Sequence, residues 1–151
     1  MYPIEILHIK VLNNFCRIDS LFLFEVVYEI KYCLQNDIKI NAIYITSSFE
    51  THNDQELDFF TLPGKKIGKF KIVLKIRPPM YDTFKVEELA EVTVILLAFL
   101  YDNRELIRIG YYLNNEIFFK DDAKKKNSLK INYILRKILS DKPRITYFPF
   151  I

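Results

Sequence analysis

The side chains able to do acid–base, nucleophilic or metal chemistry are few in these 151 residues. His8 and His52 are the only imidazoles, and Cys16 and Cys33 the only thiols. Two cysteines rule out a disulfide framework and cannot alone close a four-ligand zinc site. Neither histidine sits in a segment with a nucleophile context, so no Ser–His–Asp or Cys–His arrangement can be argued. Gly64, Gly68 and Gly110 are the only glycines, too scattered for a glycine-rich nucleotide loop. Pro63–Lys69 (PGKKIGK) is a glycine–lysine loop, but its spacing and its lack of Ser or Thr do not fit a phosphate-binding P-loop. It reads as a hairpin connection. This inventory points away from an enzyme, and no metal or cofactor is expected.

What remains must act by shape and surface. Half the residues are hydrophobic and 27% are charged, the composition of a globular chain rather than a disordered one. The length suits one domain spanning 1–151 and is too short for two of ordinary size. The longest apolar run, Val92–Tyr101, is about half of the roughly 20 residues a membrane helix needs. The first ten residues lack a basic-then-apolar signal pattern, which predicts a soluble, intracellular protein with reduced thiols. Net charge is +3 but uneven. Residues 1–119 carry 13 Lys+Arg against 16 Asp+Glu, and residues 120–151 carry 9 against 3. The basic end reads as a solvated helix face, because no aromatic–basic interleaving or nucleic-acid fold signature accompanies it.

The elements that position these side chains follow mostly a period of two. Phe22–Ile30 places Phe22, Phe24, Val26, Tyr28 and Ile30 on one face. Lys69–Ile76 alternates fully, with Phe70, Ile72, Leu74 and Ile76 against Lys69, Lys71, Val73 and Lys75. Ile38–Thr46 is similar, and Ile4–Leu12, Leu57–Leu62 and Arg144–Phe150 are weaker strand candidates. With Val92–Tyr101 and Glu105–Leu113 this makes about eight strands, spaced as in an antiparallel sandwich or barrel. One segment departs from the pattern. Ile131, Ile134, Leu135, Ile138 and Leu139 recur at helical spacing after Ser128, a candidate N-cap, and Asp141-Lys142-Pro143 ends the run. The expectation is one short C-terminal helix docked on a β domain.

The hairpin Val92–Leu113 is apolar on both faces. A three-residue loop, Asp102-Asn103-Arg104, pairs Tyr101 with Glu105, so that odd-numbered residues share a face. Ile95, Leu97, Phe99 and Tyr101 then join Ile107, Ile109 and Tyr111 in the core. Val92, Val94, Leu96, Arg108 and Tyr112 are left together on the opposite face, where a sandwich strand ordinarily shows polar residues. An apolar stripe beside one arginine and one tyrosine marks either a partner site or a surface covered by the chain's own helix or loop.

Val92–Glu116 (VTVILLAFLYDNRELIRIGYYLNNE) resembles the strand pair of the anti-silencing-function histone chaperones. Ile107–Glu116 (IRIGYYLNNE) is its most specific part. Ile134–Phe148 resembles that family's C-terminal helix and last strand, and FLFEVVYEI, IYITSS and Asp54–Asp58 (DQELD) follow in the expected order. The resemblance implies an all-β, elongated immunoglobulin-like sandwich that binds a histone H3–H4 dimer. It also implies residence in the nucleus as a monomer, with no direct nucleic-acid or membrane contact. Matched residue by residue, it assigns H3 contacts to Ile45, Asp54, Glu88, Val92, Val94, Leu96, Arg108 and Tyr112. Contacts with the C-terminal segment of H4 fall to Arg144, Ile145 and Thr146, by addition of a strand to an open edge. A second site for basic peptides, from the large subunit of chromatin assembly factor and HIRA-type regulators, falls on Asp37, Ile38, Asp58, Phe60 and Leu62. Lys39 and Asn36 stand there where the family usually carries acids, which lowers the attraction for a basic peptide. The implied action is competition. The Val94 face covers the H3 surface that would otherwise join two dimers, and the chaperone hands one dimer to assembly machinery. The competing readings are an immunoglobulin-like interaction module with a non-histone partner and, more remotely, an enzyme on a β-sandwich.

Overall fold

The computed structural model describes residues 2–46, 54–81, 89, 92–117, 134–140 and 143–150. Ten strands are present among them: β1 (Ile4–Val11), β2 (Cys16–Arg17), β3 (Phe22–Ile30), β4 (Ile38–Ile45), β5 (Gln55–Leu62), β6 (Gly68–Ile76), β7 (Val92–Tyr101), β8 (Arg104–Ile117), β9 (Ile134–Ile138) and β10 (Arg144–Tyr147). They form two sheets of a curled sandwich. The smaller runs β1-β3-β6 and the larger β2-β9-β8-β7-β4-β5, with β10 also paired to β8. No helix among the described residues is long and apolar enough to cross a membrane.

The alternation read from the sequence builds the core. Phe22, Phe24, Val26 and Ile30 of β3 face Ile38, Ile40, Ala42 and Tyr44 of β4 and Ile95, Leu97 and Phe99 of β7, all fully buried. Aromatic rings lock the two layers: Phe24 meets Tyr111 at 5.3 Å between centroids, and Phe22 meets Tyr44 at 6.4 Å. Burial pushes the Tyr111 hydroxyl pKa up to about 12, so it stays neutral.

The β7–β8 turn differs in detail from the expected one. Tyr101 pairs with Arg104, so the loop is the two residues Asp102-Asn103, both at positive φ (50° and 62°). Asn and Asp tolerate that conformation, and a two-residue hairpin requires it. A bulge then shifts the register, because Leu100 pairs with Glu105 but Phe99 with Ile107. The bulge restores the odd-with-odd pairing, so the expected faces are the observed ones.

The C-terminal helix is corrected. Ile134–Ile138 is a strand, paired to β8 from Leu113↔Ile138 to Ile117↔Ile134. Ser128 and Ile131 lie outside the described residues. Ile134 and Ile138, four apart, satisfy a helical and a two-residue period equally. The residue that hides the strand is Arg136, which points inward and is fully buried. Its Nη1 donates to the carbonyls of Ile18 (3.3 Å) and Ser20 (2.8 Å), and its Nη2 to the Leu21 carbonyl (3.0 Å) and Cys16 Sγ (3.2 Å). The guanidinium also lies 3.8 Å over the Phe22 ring. Asn14 clasps the same strand, accepting from Ile138 N–H and donating to its carbonyl, both at 2.8 Å. A sequence pattern scores arginine as solvent-facing, whereas here backbone carbonyls replace the water.

Candidate functional site

The outward face of the larger sheet carries the site, and the strand registers fix which residues share it. Ile45 pairs with Val94 and Val94 with Tyr112, while Ile43 pairs with Leu96 and Leu96 with Gly110. Gly110 in turn faces Arg144 on β10, and Arg108 faces Thr146. The rows therefore run from β5 to β10 across one continuous surface. Val94, Leu96, Arg108, Gly110, Tyr112, Arg144, Thr146 and Phe148 line a groove of about 380 Å³. Val92 and Tyr112 are 49% and 48% exposed, although each belongs to an otherwise core-building strand. No described helix or loop of the chain covers the stripe.

Gly110 sets the groove's depth. A Cβ built there would stand 3.1 Å from Leu96 Cδ2, so a side chain at that position would press into the floor. Arg108 forms one wall. Its Nε and Nη2 donate to the two carboxylate oxygens of Glu105 at 2.7 and 2.8 Å, and its guanidinium lies 5.5 Å from the Phe148 ring centroid. This bidentate pairing fixes the guanidinium before any partner arrives.

Charge is ordered across the face. Gln55 pairs with inward Tyr44, and Glu56 pairs with outward Ile43. Continuing that register by one residue puts Asp54 beside Ile45. Acids thus flank the stripe on the β5 side, and Arg108 and Arg144 on the β10 side. Partial burial raises the Asp54 carboxyl pKa above the ordinary aspartate value.

β10 adds an open edge. Phe148 N–H donates to the Leu106 carbonyl at 2.8 Å. By antiparallel alternation the 146 and 144 positions also bond to β8, and Ile145 and Tyr147 turn their backbone groups outward. Nothing among the described residues pairs with that edge. Arg144 and Thr146 face the groove, whereas Ile145 shares the opposite sheet face with buried Ile109 and is 39% exposed.

The structure therefore brings together Ile45, Asp54, Val92, Val94, Leu96, Arg108, Tyr112, Arg144 and Thr146. Glu88 lies outside the described residues. Sequence reasoning missed Ile43, Gly110, Phe148 and Leu139. Leu139, expected on a helix's core side, instead donates its N–H to the Tyr112 carbonyl at 2.9 Å and is 41% exposed. Ile43 carried a readable signal, since it lies two residues from Ile45 on one strand face.

The second expected site is not assembled as a lined groove. Ile38 and Leu62 pair with each other and are core residues, and Phe60 packs partly buried against that core. Their alternation points them inward, so they cannot line a surface groove. Asp58 lies 3.4 Å from Arg77 Nε, and its Oδ1 accepts from Phe59 N–H at 3.0 Å. Asp37 alone of the five is exposed. It borders a polar depression of about 320 Å³ with Asn36, Lys39, Thr61, Asp102 and Asn103.

The molecule is thus an immunoglobulin-like sandwich with a filled core, one apolar outer stripe flanked by opposite charges and an open edge strand beside it. Among the described residues no group of three or more His, Cys, Asp or Glu stands together as a metal site. Comparison with known proteins sharpens the class. The family model described as ASF1 like histone chaperone matches residues 1–151, and the chain belongs to that family. It is 37% identical over 151 residues to the histone chaperone ASF1 of Candida glabrata, covering 98% of this chain and 49% of that protein. It is 36% identical to the histone chaperone ASF1 of Saccharomyces cerevisiae, over 98% of this chain and 53% of that protein. With histone chaperone asf-1 of Neurospora crassa it shares 34% identity, over 98% of this chain and 55% of that protein. The chain thus spans about half the length of these relatives.

Proposed function

We propose that the chain binds an H3–H4 dimer through the outward face of the larger sheet. It would keep two dimers from joining and pass one on for nucleosome assembly. The observation that carries this reading is the Val92–Val94–Leu96–Tyr112 stripe, exposed at Val92 and Tyr112 and half-buried at Val94 and Leu96, set between Asp54 and Glu56 on one side and Arg108 and Arg144 on the other. A helix with an apolar ridge, basic toward β5 and acidic toward β10, complements that arrangement. Apolar burial supplies affinity at about 25 cal/mol per Å², and the charges supply orientation. The outward edge of β10 offers a place for an extended segment of H4, with backbone hydrogen bonds at Ile145 and Tyr147. The role is one of binding, not catalysis, exercised by a monomer in the nucleus. Contact with the large chromatin assembly factor subunit or HIRA-type regulators falls to Asp37 and the depression beside it. Lys39→Glu there strengthens association of a basic peptide at low salt, and an unchanged on-rate argues against that contact.

The test is a titration of an H3–H4 dimer against this chain and Val94→Arg, repeated at raised salt. An unpartnered guanidinium buried against an apolar helix costs several kcal/mol, so affinity falls at least about 100-fold. Circular dichroism stays that of the parent, because Val94 faces away from the core. Binding that survives raised salt in the parent and is lost in the variant supports the reading. Equal binding by both proteins removes the site, and weak binding that vanishes with salt in both leaves a module with a non-histone partner.

A further inference from the structure

The candidate site leaves unexplained a charge concentration on the other sheet. The thirteen residues Lys65–Arg77 hold five lysines, one arginine and no acid. They form the end of a loop and all of β6, the edge strand of the smaller sheet, paired only to β3. Register with β3 turns Phe70, Ile72, Leu74 and Ile76 toward the core, so Lys69, Lys71 and Lys75 project outward on one face. Lys65 and Lys66 extend the row at one end and Arg77 at the other, all exposed. Lys71 is held by Glu25 at 2.9 Å, and Arg77 by Asp58 at 3.4 Å. Lys65, Lys66, Lys69 and Lys75 form no ion pair among the described residues. Among the described residues Glu25 and Glu29 on β3 and Asp58 beside Arg77 are the acids facing this row, three against six cations, so it keeps a positive surplus.

We infer that the β6 strip, Lys65–Lys66–Lys69–Lys75, is a second binding surface, which takes the sugar–phosphate backbone of duplex DNA without reading sequence. Residues two apart on a strand are roughly 6.6 Å apart, so Lys69 to Lys75 covers about 20 Å. With the loop lysines the strip approaches one helical turn of about 34 Å. Lysine is a hydrated point charge on a flexible stem, suited to a repeating phosphate charge. Asn and Gln, which read adenine edges, are absent between Lys65 and Arg77, and the one arginine there, Arg77, is engaged by Asp58, so contacts position without specifying. An acidic polypeptide fits less well. The exposed apolar residues, Ile67 and Val73, stand apart on the strip and give a peptide's side chains no contiguous apolar patch there. The strip lies on the smaller sheet and the groove on the outer face of the larger, so one ligand leaves the other's surface open. This departs from the sequence expectation of no direct nucleic-acid contact.

The experiment is fluorescence anisotropy of a labelled mixed-sequence duplex of about 25 base pairs with the whole chain, at several salt concentrations. Four free lysines predict a slope of log K against log salt of about −3 to −4, with micromolar affinity at low salt. Lys65→Ala/Lys66→Ala lies in the loop and leaves the edge strand intact. It lowers the slope magnitude by about 2 and weakens binding at least about tenfold at 50 mM salt. Lys69→Ala/Lys75→Ala does the same where circular dichroism and gel filtration show it folded and monomeric. Val94→Arg leaves DNA binding unchanged, which separates this surface from the histone reading. Undetectable duplex binding at 50 mM salt, or parent-like binding by the loop variant, overturns the proposal. Lysine-dependent binding of polyglutamate without binding of duplex overturns it in favour of an acidic polypeptide.

Discussion

Asp54 and Arg136 show how single residues set this protein's behaviour. Partial burial raises the Asp54 carboxyl pKa above its ordinary value, so the free protein disfavours its charged form. A raised acid pKa makes ionisation a cost to the folded state. That cost is present above the folded pKa and disappears as pH falls below the unfolded value. A cationic group on a partner reverses the shift, so partner affinity strengthens as pH rises through the free-state pKa of Asp54. Asp54→Asn flattens that dependence in the acid range. Isothermal titration across that range checks it, and a parental profile in the variant removes Asp54 from the contact. Arg136 acts on stability instead. Arg136→Met keeps much of the volume but leaves the Ser20 carbonyl without its donor, while the Ile18 and Leu21 carbonyls lose one of two, keeping the Tyr81 hydroxyl and the Asn13 amide. One unsatisfied acceptor costs about 1–3 kcal/mol before water relaxes in, so a loss of about that size is expected. Urea unfolding measures it, and a change under about 0.5 kcal/mol, the scale of ordinary surface substitutions, shows that the clasp is dispensable.

At the scale of elements, every strand but β2 and β9 was legible in the sequence. β3, β4 and β6 announce themselves by alternation and β7 by its apolar run, and the odd-with-odd hairpin register follows from which residues are bulky. β9 was hidden because its inward middle residue is an arginine satisfied by a distant loop, a contact more than 100 positions away in the chain. The two-residue period of Ile38 and Leu62 was legible too. The resemblance nevertheless placed them on a surface, although the pairing Ile38↔Leu62 turns both into the core. Within the candidate site the stripe on β7 was readable from its missing polar residues. Leu139 and Phe148 were not, since their place depends on how β9 and β10 divide the length of β8. β10 supports a prediction of its own. Ile145 turns its N–H to the open edge, so Ile145→Pro removes one donor there without removing a bond to β8. Edge strands tolerate proline at such positions, and stability changes by no more than about 1 kcal/mol. Affinity for an H3–H4 dimer falls roughly tenfold, one charge-free hydrogen bond with its register, while an H4 truncated at its C-terminus is bound equally by both proteins. Equal loss with truncated H4 would place the effect elsewhere.

At the scale of the whole molecule, the two sheets present different surfaces, a difference that the net charge of +3 conceals. The larger presents an apolar stripe between acids and bases, and the smaller presents an edge of lysines. A single stripe per chain limits what can be held. If that stripe covers the surface through which two H3–H4 dimers associate, the chain and a second dimer compete for the same apolar area. Mixing the chain in excess with H3–H4 then yields one chain per dimer, because each stripe buried against H3 removes one dimer–dimer contact. Light scattering on the eluted complex reads this directly. The expected mass is that of one chain with one H3 and one H4, independent of histone concentration through the range where H3–H4 alone forms tetramers. Val94→Arg, which loses the stripe, leaves tetramers intact beside free chain. A complex of two chains on one tetramer would keep the binding surface but end the competition, since both could then be satisfied at once.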